Sequence, residues 1–294
     1  MAADYGEKMR IMMKAILFGA SGGGQRLYEE ISSKYEILAF VDNDERKWGK
    51  TLKGIPILEP SKCACEDFQY DRLIITSAPG LSSIKRQCLE MGVFEDKIIT
   101  SYVEAPLESR RIFLEKFSKL IEMQGDKGEC AEAGVFEGDF AKWINQYFPD
   151  RKLYLFDTFE GFDMRDIEKE KPFSNAKSGD YNNTSIELVM EKMLYPQNCI
   201  ISKGYFPQTA EGITEKFCFV NLDLDLYEPT YNGLLFFENK MTENGIILVH
   251  DYFADNFRGP KEAVNRFLHE NKRKIKILPI GDGISVSLSG FSDR

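Results

Sequence analysis

Histidine is almost absent from this 294-residue chain, which has only His250 and His269. That excludes a histidine-rich metal centre and draws attention to His250, which stands beside a cluster of acids. Basic charge is also scarce: 38 Lys and Arg face 47 Asp and Glu, for a formal net charge of −9. Nucleic-acid backbones are gripped by basic surfaces, so nucleic acid is not an expected partner. The short run Lys272-Arg273-Lys274 reads as a solvated helix end. No apolar run approaches the ~20 residues that a membrane span needs. Met1 to Lys14 carries acids and no long apolar stretch, so it does not read as a signal peptide, and a cytoplasmic location is expected. The six cysteines, at 63, 65, 88, 130, 199 and 218, are scattered through apolar contexts. Cys63 and Cys65 are too close for the usual structural zinc spacing, which leaves reduced, mostly buried thiols as the expectation.

What the chain does have is apolar content, 43%, enough for a globular protein, and length for two ordinary domains. The expected fold is α/β, with two tandem Rossmann-like domains. The first alternation opens with a strand at Lys14–Phe18, a turn containing Gly19, Gly22, Gly23 and Gly24, and a helix from Gln25 to Ser33. Strands at Glu36–Val41 and Leu73–Ser77, a helix to about Met91, and Ile98-Ile99 continue it. Strand, glycine turn, helix, strand is a parallel βαβ unit. Such glycines let a backbone approach a phosphate at a helix N-terminus, and Asp42 could hold a ribose hydroxyl. The same turn needs glycine even without a ligand, so both readings stand. No Tyr-x-x-x-Lys pair occurs anywhere in the chain, which counts against reductase chemistry. From Phe40-Val-Asp-Asn-Asp44 to Lys53-Gly-Ile-Pro-Ile57 the chain resembles the nucleotide-binding half of bacterial polysaccharide-biosynthesis enzymes.

The expected boundary lies between residues 104 and 105, at the edge of a charged helix. That helix, about Leu107 to Met123, is expected to turn Ile112, Phe113, Phe117, Leu120 and Ile121 toward a core. A second alternation follows: a strand at Glu129–Ala133, the turn Gly134 to Gly138, and a strand at Lys152–Phe156 leading into Asp157-Thr158-Phe159. The long polar stretch from Asp163 to Asn183 reads either as a lid or as a disordered surface insertion. A helix near Thr184 to Met193 and a strand ending at Ser202 come next. The runs Lys274–Ile280 and Ile284–Leu288, joined by a short turn, must pair antiparallel.

Between these lie two apolar strands that run straight into acids. Asn221-Leu-Asp-Leu-Asp-Leu-Tyr-Glu228 supplies Asp223 and Asp225, and Val249-His-Asp-Tyr252 supplies His250 and Asp251. A helix from Pro229 to Lys240 separates them, so the strands should be parallel neighbours whose ends converge at the sheet edge where such folds bind ligands. Carboxylates gathered there suit a divalent cation or a proton acceptor.

In this order the landmarks of residues 105–294 closely resemble the macrocin O-methyltransferase family, whose members methylate sugar hydroxyls. A parallel sheet finished by an antiparallel hairpin is the plan of class I S-adenosylmethionine-dependent methyltransferases. The resemblance implies that Glu132, Gly134 and Gly138 frame the cofactor's methionine part. It places Asp157, Thr158 and Phe159 near its ribose, and Gly204, Tyr205 and Phe206 near its adenine. It implies Asp223 and Asp251 as ligands of Mg2+, with Asp225 or His250 as the base. The acceptor implied is a sugar-containing small molecule, glycosylated or nucleotide-linked. The sequence is also compatible with a homo-oligomer.

Two departures from the family pattern matter. Members commonly carry two consecutive acids where this chain has His250-Asp251, and imidazole suits magnesium poorly, so His250 reads as base, as ligand, or as a buried strand-end histidine. The stretch after Asp157-Thr158-Phe159 also contains no histidine to serve as base. Two rival functions are an NAD-dependent sugar-modifying oxidoreductase centred on Gly19–Gly24, and a nucleotide-sugar binding module beside a degenerate methyltransferase domain.

Overall fold

Strands that are apolar on both faces must be covered on both sides, and the observed architecture meets that need twice. The structure, a computed structural model, describes residues 12–65, 68–78, 80–271 and 274–291. The N-terminal segment 1–11, Pro79 of the Ala78–Gly80 turn, and Lys272 and Arg273 of the basic run lie outside the described residues. Two compact units are present, the first ending at Pro106 and the second beginning at Leu107.

In the first unit β1 (Met13–Phe18), α1 (Gly22–Ile31), β2 (Tyr35–Val41), β3 (Thr51–Leu52), β4 (Ile55–Leu58), β5 (Arg72–Ile75), α2 (Leu81–Glu90) and β6 (Ile98–Ile99) alternate. The sheet order is β3-β4-β2-β1-β5-β6, parallel throughout except for the β3–β4 pair. Apolar side chains alternate between its faces: Ile16, Phe18, Ala39 and Val41 join one cluster, and Ala15, Leu17 and Phe40 the other.

Helix α3 (Ser101–Met123) contains the boundary between the units and has Pro106 in its second turn. The second unit continues with β7 (Glu129–Ala133), α4 (Ala141–Tyr147), β8 (Leu153–Asp157), α5 (Met164–Glu170), α6 (Ile186–Glu191) and β9 (Cys199–Lys203). It closes with β10 (Phe217–Leu222), α7 (Tyr227–Phe237), β11 (Met241–Val249), α8 (Gly259–Glu270), β12 (Lys276–Pro279) and β13 (Val286–Ser289). The sheet order is β12-β13-β11-β10-β7-β8-β9. Strands β11, β10, β7, β8 and β9 are parallel, and β13 joins β11 and β12 antiparallel, as the terminal hairpin requires. Every residue of β10 is buried, so this strand is the spine of the unit.

The expected inward face of α3 holds for Phe113, Phe117 and Ile121, which pack into the core, but Ile112 and Leu120 are exposed, while Arg110, Leu114, Ser118 and Ile121 are buried. Those four recur at helical spacing and define the inward stripe; the apolar residues beside it had suggested a stripe rotated outward. In α1 the helix begins at Gly22, three residues earlier than expected, because the glycine turn is also its first turn.

A Cβ on Gly24 would lie 2.0 Å from the Gly19 carbonyl oxygen. Backbone cannot yield as a flexible side chain can, so Gly24→Ala should destabilise the first unit by about 2 kcal/mol or more. Hydrogen exchange read on the β1 and β2 amides checks this, and unchanged protection would show that the turn has room.

Candidate functional site

The site lies where strand order reverses. From β7 the chain steps outward to β8 and β9, then returns to the other side of β7 with β10 and β11. Open α/β sheets bind ligands at such a switch point, beyond the carboxyl ends of the strands. Asp223, just past β10, donates its N–H to Ala133 O at 2.9 Å, and His250, just past β11, donates its N–H to Leu222 O at 2.9 Å. These bonds set the three strand ends level. Asp225 and Asp251 both adopt φ of 58°, a left-handed conformation that side chains other than glycine seldom take and that is common at functional sites.

The side chains then meet. His250 Nδ1 lies 2.9 Å from Asp223 Oδ1 and 3.1 Å from Asp251 Oδ2. Arg110 Nη2 reaches the other Asp223 oxygen at 3.0 Å and Asn221 Oδ1 at 3.0 Å, and its guanidinium lies 4.0 Å from the Phe140 ring centre. Asn221 passes the network down to Glu132, donating Nδ2–H to Oε1 at 2.7 Å. Burial opposes ionisation of Asp223, yet His250 and Arg110 outweigh it and hold its carboxyl well below the usual range. Asp251 is lowered too: burial works against it and His250 works for it. Burial and Arg110 disfavour the imidazolium, but the Asp223 and Asp251 carboxylates push His250 up to about 10. Asp225 goes the other way, raised well above the ordinary value by burial and by its acid neighbours Asp251 and Asp223. Burial, with Asp223 nearby, pushes Glu132 to about 8.

Asp223, His250 and Asp251 offer ligand atoms that all lie within 4.8 Å of one another. His250 Nδ1 is buried, and despite its two close carboxylates it makes no hydrogen bond with acceptable geometry. Protonated, this imidazole is the cation between the two carboxylates; deprotonated, its Nδ1 and the two carboxylate oxygens form a set that could hold a metal cation in common. Magnesium prefers an all-oxygen shell, whereas this set offers two carboxylates and an imidazole.

The glycine turn after β7 also departs from expectation. A Cβ on Gly134 would sit 1.9 Å from the Asp223 carbonyl oxygen, and φ there is 84°. Gly134 is thus required first for the close approach of β7 to the chain leaving β10, whatever faces it from outside. Asp157 Oδ2 accepts from Val135 N and Phe136 N at 2.7 and 2.8 Å, and Oδ1 from Phe159 N at 2.7 Å. Each such bond to a charged group contributes about 1.5–3 kcal/mol, so the carboxylate holds the turn. Thr158 is engaged as well, donating to Gly161 O at 2.8 Å. Phe159 is buried, and so is Phe206, whose ring packs among Phe156, Phe236 and Phe237. Phe206 is thus part of the aromatic core. Gly204 N donates to Asp157 O at 2.9 Å, and Tyr205 donates to Asp166 at 2.6 Å beneath the Arg165 guanidinium.

Residues 163–183 are folded. Phe162 N bonds Asp180 O and Gly179 N bonds Phe162 O, each at 3.0 Å, which closes the segment at its base. Helix α5 within it is fixed by Glu170, which accepts from Tyr227 N at 2.7 Å. Tyr181 packs edge-on against Phe136 and Phe162, within electrostatic reach of the acid cluster. Burial and the charges of Asp225, Asp251 and Asp223 keep its hydroxyl protonated.

The macrocin-O-methyltransferase (TylF) family pattern matches residues 108–286. The chain belongs to this family. It is accordingly a methyltransferase, and its second unit has the methyltransferase fold. The solved O-methyltransferase NovP is 18% identical with a TM-score of 0.52, covering 62% of this chain and 79% of its own. The calicheamicin methyltransferase CalS11 is 18% identical with a TM-score of 0.54, covering 72% and 91%. At these identities the likeness is one of fold. The C2185-like N-terminal family matches residues 11–99. No curated protein matches the chain.

In this TylF-family chain the first unit holds its own glycine turn, and there Asp42 is already occupied. Its carboxylate accepts from Ala20 N, Asp44 N and Lys47 Nζ, each at 2.8 Å. Gly19 and Gly24 pack the turn on itself, and Gly22 and Gly23 form the first turn of α1. Among the described residues no helix is long and apolar enough to cross a membrane.

Sequence reasoning missed Arg110 and Tyr181. The signal for Arg110 was a charge at helical spacing from Leu114 and Ile121; nothing in the sequence marked Tyr181. Arg110→Met should destabilise the second unit by about 3–5 kcal/mol, because it leaves Asp223 and Asn221 without their buried cation. Denaturant unfolding measures this, and a loss below 1 kcal/mol would show the pair to be dispensable.

Proposed function

We propose that the second unit transfers a methyl group from S-adenosylmethionine to a hydroxyl of a sugar-containing acceptor, glycosylated or nucleotide-linked. The observation that carries this reading is the gathering of Asp223, Asp225, His250 and Asp251 beside the Gly134–Gly138 turn in a chain of the macrocin-O-methyltransferase family. A sulfonium methyl is already electrophilic, so the protein has to align an oxygen with it and receive a proton. Asp225 suits the second task. Its proton affinity is raised by burial and by its acid neighbours, Asp251 among them, with which it shares a hydrogen bond. His250, the other candidate base, faces two carboxylates that favour its protonated form, which argues against it as the base; to hold a cation it would first give up its Nδ1 proton.

Asp223, His250 and Asp251 would hold a divalent cation, which when bound supplies Lewis-acid polarisation of the acceptor hydroxyl. The Gly134–Gly138 turn and the backbone at Thr158 and Gly204 would frame the cofactor. For the acceptor, the second unit offers a groove of about 500 Å³ lined by Phe173, Asn175, Asp180, Asn256, Phe257 and Arg258. Aromatic faces beside amide and charged groups are a lining that suits a sugar. Phe257 packs on Phe162 at 6.3 Å, and Asp180 adjoins Tyr181, within electrostatic reach of the acids. The first unit fits a nucleotide or nucleotide-sugar role without redox chemistry, in keeping with polysaccharide biosynthesis. With the Asp42 carboxylate occupied, that role would fall to the Ser21–Gly24 backbone.

Calorimetry should detect S-adenosylmethionine binding to the intact chain; no affinity for it would overturn the reading. Asp225→Asn should keep cofactor affinity within about two-fold while cutting methyl transfer to a panel of nucleotide sugars about 10²–10⁴-fold. Undiminished transfer would remove Asp225 as the base.

A further inference from the structure

Which cation the cluster takes depends on its third ligand. Ligand atoms about 2.1 Å from one ion and at right angles to each other stand roughly 3 Å apart. Asp223 Oδ1 and Asp251 Oδ2 stand 2.9 and 3.1 Å from His250 Nδ1, the spacing of neighbouring corners around a shared centre. Nδ1 is buried between the two carboxylates without a well-aligned hydrogen bond to either, so an ion entering there displaces the Nδ1 proton to solvent and takes the freed lone pair. Arg110 takes the second oxygen of Asp223, so that residue offers one oxygen to an ion. The set is therefore two single carboxylate oxygens and one imidazole nitrogen.

Magnesium wants a near-octahedral oxygen shell, whereas imidazole favours the borderline first-row cations, among which affinity rises from manganese toward zinc and copper. We infer that this site takes a first-row transition dication, of the Mn2+, Fe2+, Co2+ or Zn2+ kind, in preference to Mg2+, with His250 Nδ1 as its nitrogen ligand. The inference rests on the reading above that the cluster holds a cation. It goes further in making His250 the residue that selects which one. The neighbouring Asp225 completes the acid cluster without entering the ligand set, and the only other histidine of the chain, His269, lies on α8.

The test uses the full chain stripped of metal and loaded with Mn2+ alone. Pulsed electron paramagnetic resonance should show coupling of the bound Mn2+ to an imidazole nitrogen. That signal should disappear in His250→Asp while Mn2+ still binds. In competition titrations the preference for Mn2+ over Mg2+ should fall at least ten-fold in His250→Asp, which restores an all-oxygen set. The nitrogen signal is read on the wild type, so the test survives a variant that fails to fold. No nitrogen coupling, an unchanged preference in His250→Asp, or no Mn2+ binding would each overturn the inference. Calorimetry with S-adenosylmethionine on the same protein separates the two levels: cofactor binding without the nitrogen signal leaves the methyltransferase reading standing and removes only the role of His250.

Discussion

Three carboxylates, Asp223, Asp225 and Asp251, are brought together at the ends of two buried strands, with Glu132 beneath them. Removing like charges from water and setting them side by side is costly unless cations stand between them. Here Arg110 and His250 do so, one on each oxygen of Asp223. The rest of the second unit can be understood from this requirement. Helix α3 must present a charge on its buried stripe, β10 must carry Asn221 to link Arg110 to Glu132, and the chain must turn left-handed at Asp225 and Asp251 to bring the carboxylates together. The arrangement separates the acids by function: Asp223 and Asp251 are held ionised, while Asp225 is left with a high proton affinity.

Around this cluster the polar groups of the nearby turns are used to set backbone. Asp157 gathers three N–H groups and thereby fixes both the glycine turn and the bend that follows β8. Gly134 gives way to the Asp223 carbonyl, so the glycine turn and the acid-bearing turn are one packed unit. The segment after Phe162 is closed at its base by paired backbone bonds and anchored by Glu170, and so it holds Tyr181 within electrostatic reach of the acids. A side chain at Gly134 would therefore disturb the acid cluster directly.

The residues alone determined a good deal. Short apolar runs separated by glycine turns and helices marked both alternations, the short Gly281–Gly283 turn forced an antiparallel hairpin, and two apolar strands running into acids pointed to one sheet edge. The order of the motifs marked the family. These are local or nearest-neighbour properties, which is why a linear reading reaches them. The tertiary structure decided which way each polar group faces. Arg110 is distinguishable from the other α3 charges only by a helical phase that packing sets. Asp157 and Phe206 sit in motif positions, yet their side chains turn inward because backbone N–H groups and aromatic neighbours satisfy them there. His250 could be base, ligand or filler until Asp223 and Asp251 were placed on either side of one nitrogen. A strand end dictates which residues reach an edge; the contacts among those residues, which set their charge and their chemistry, arise only when separate strands are laid side by side.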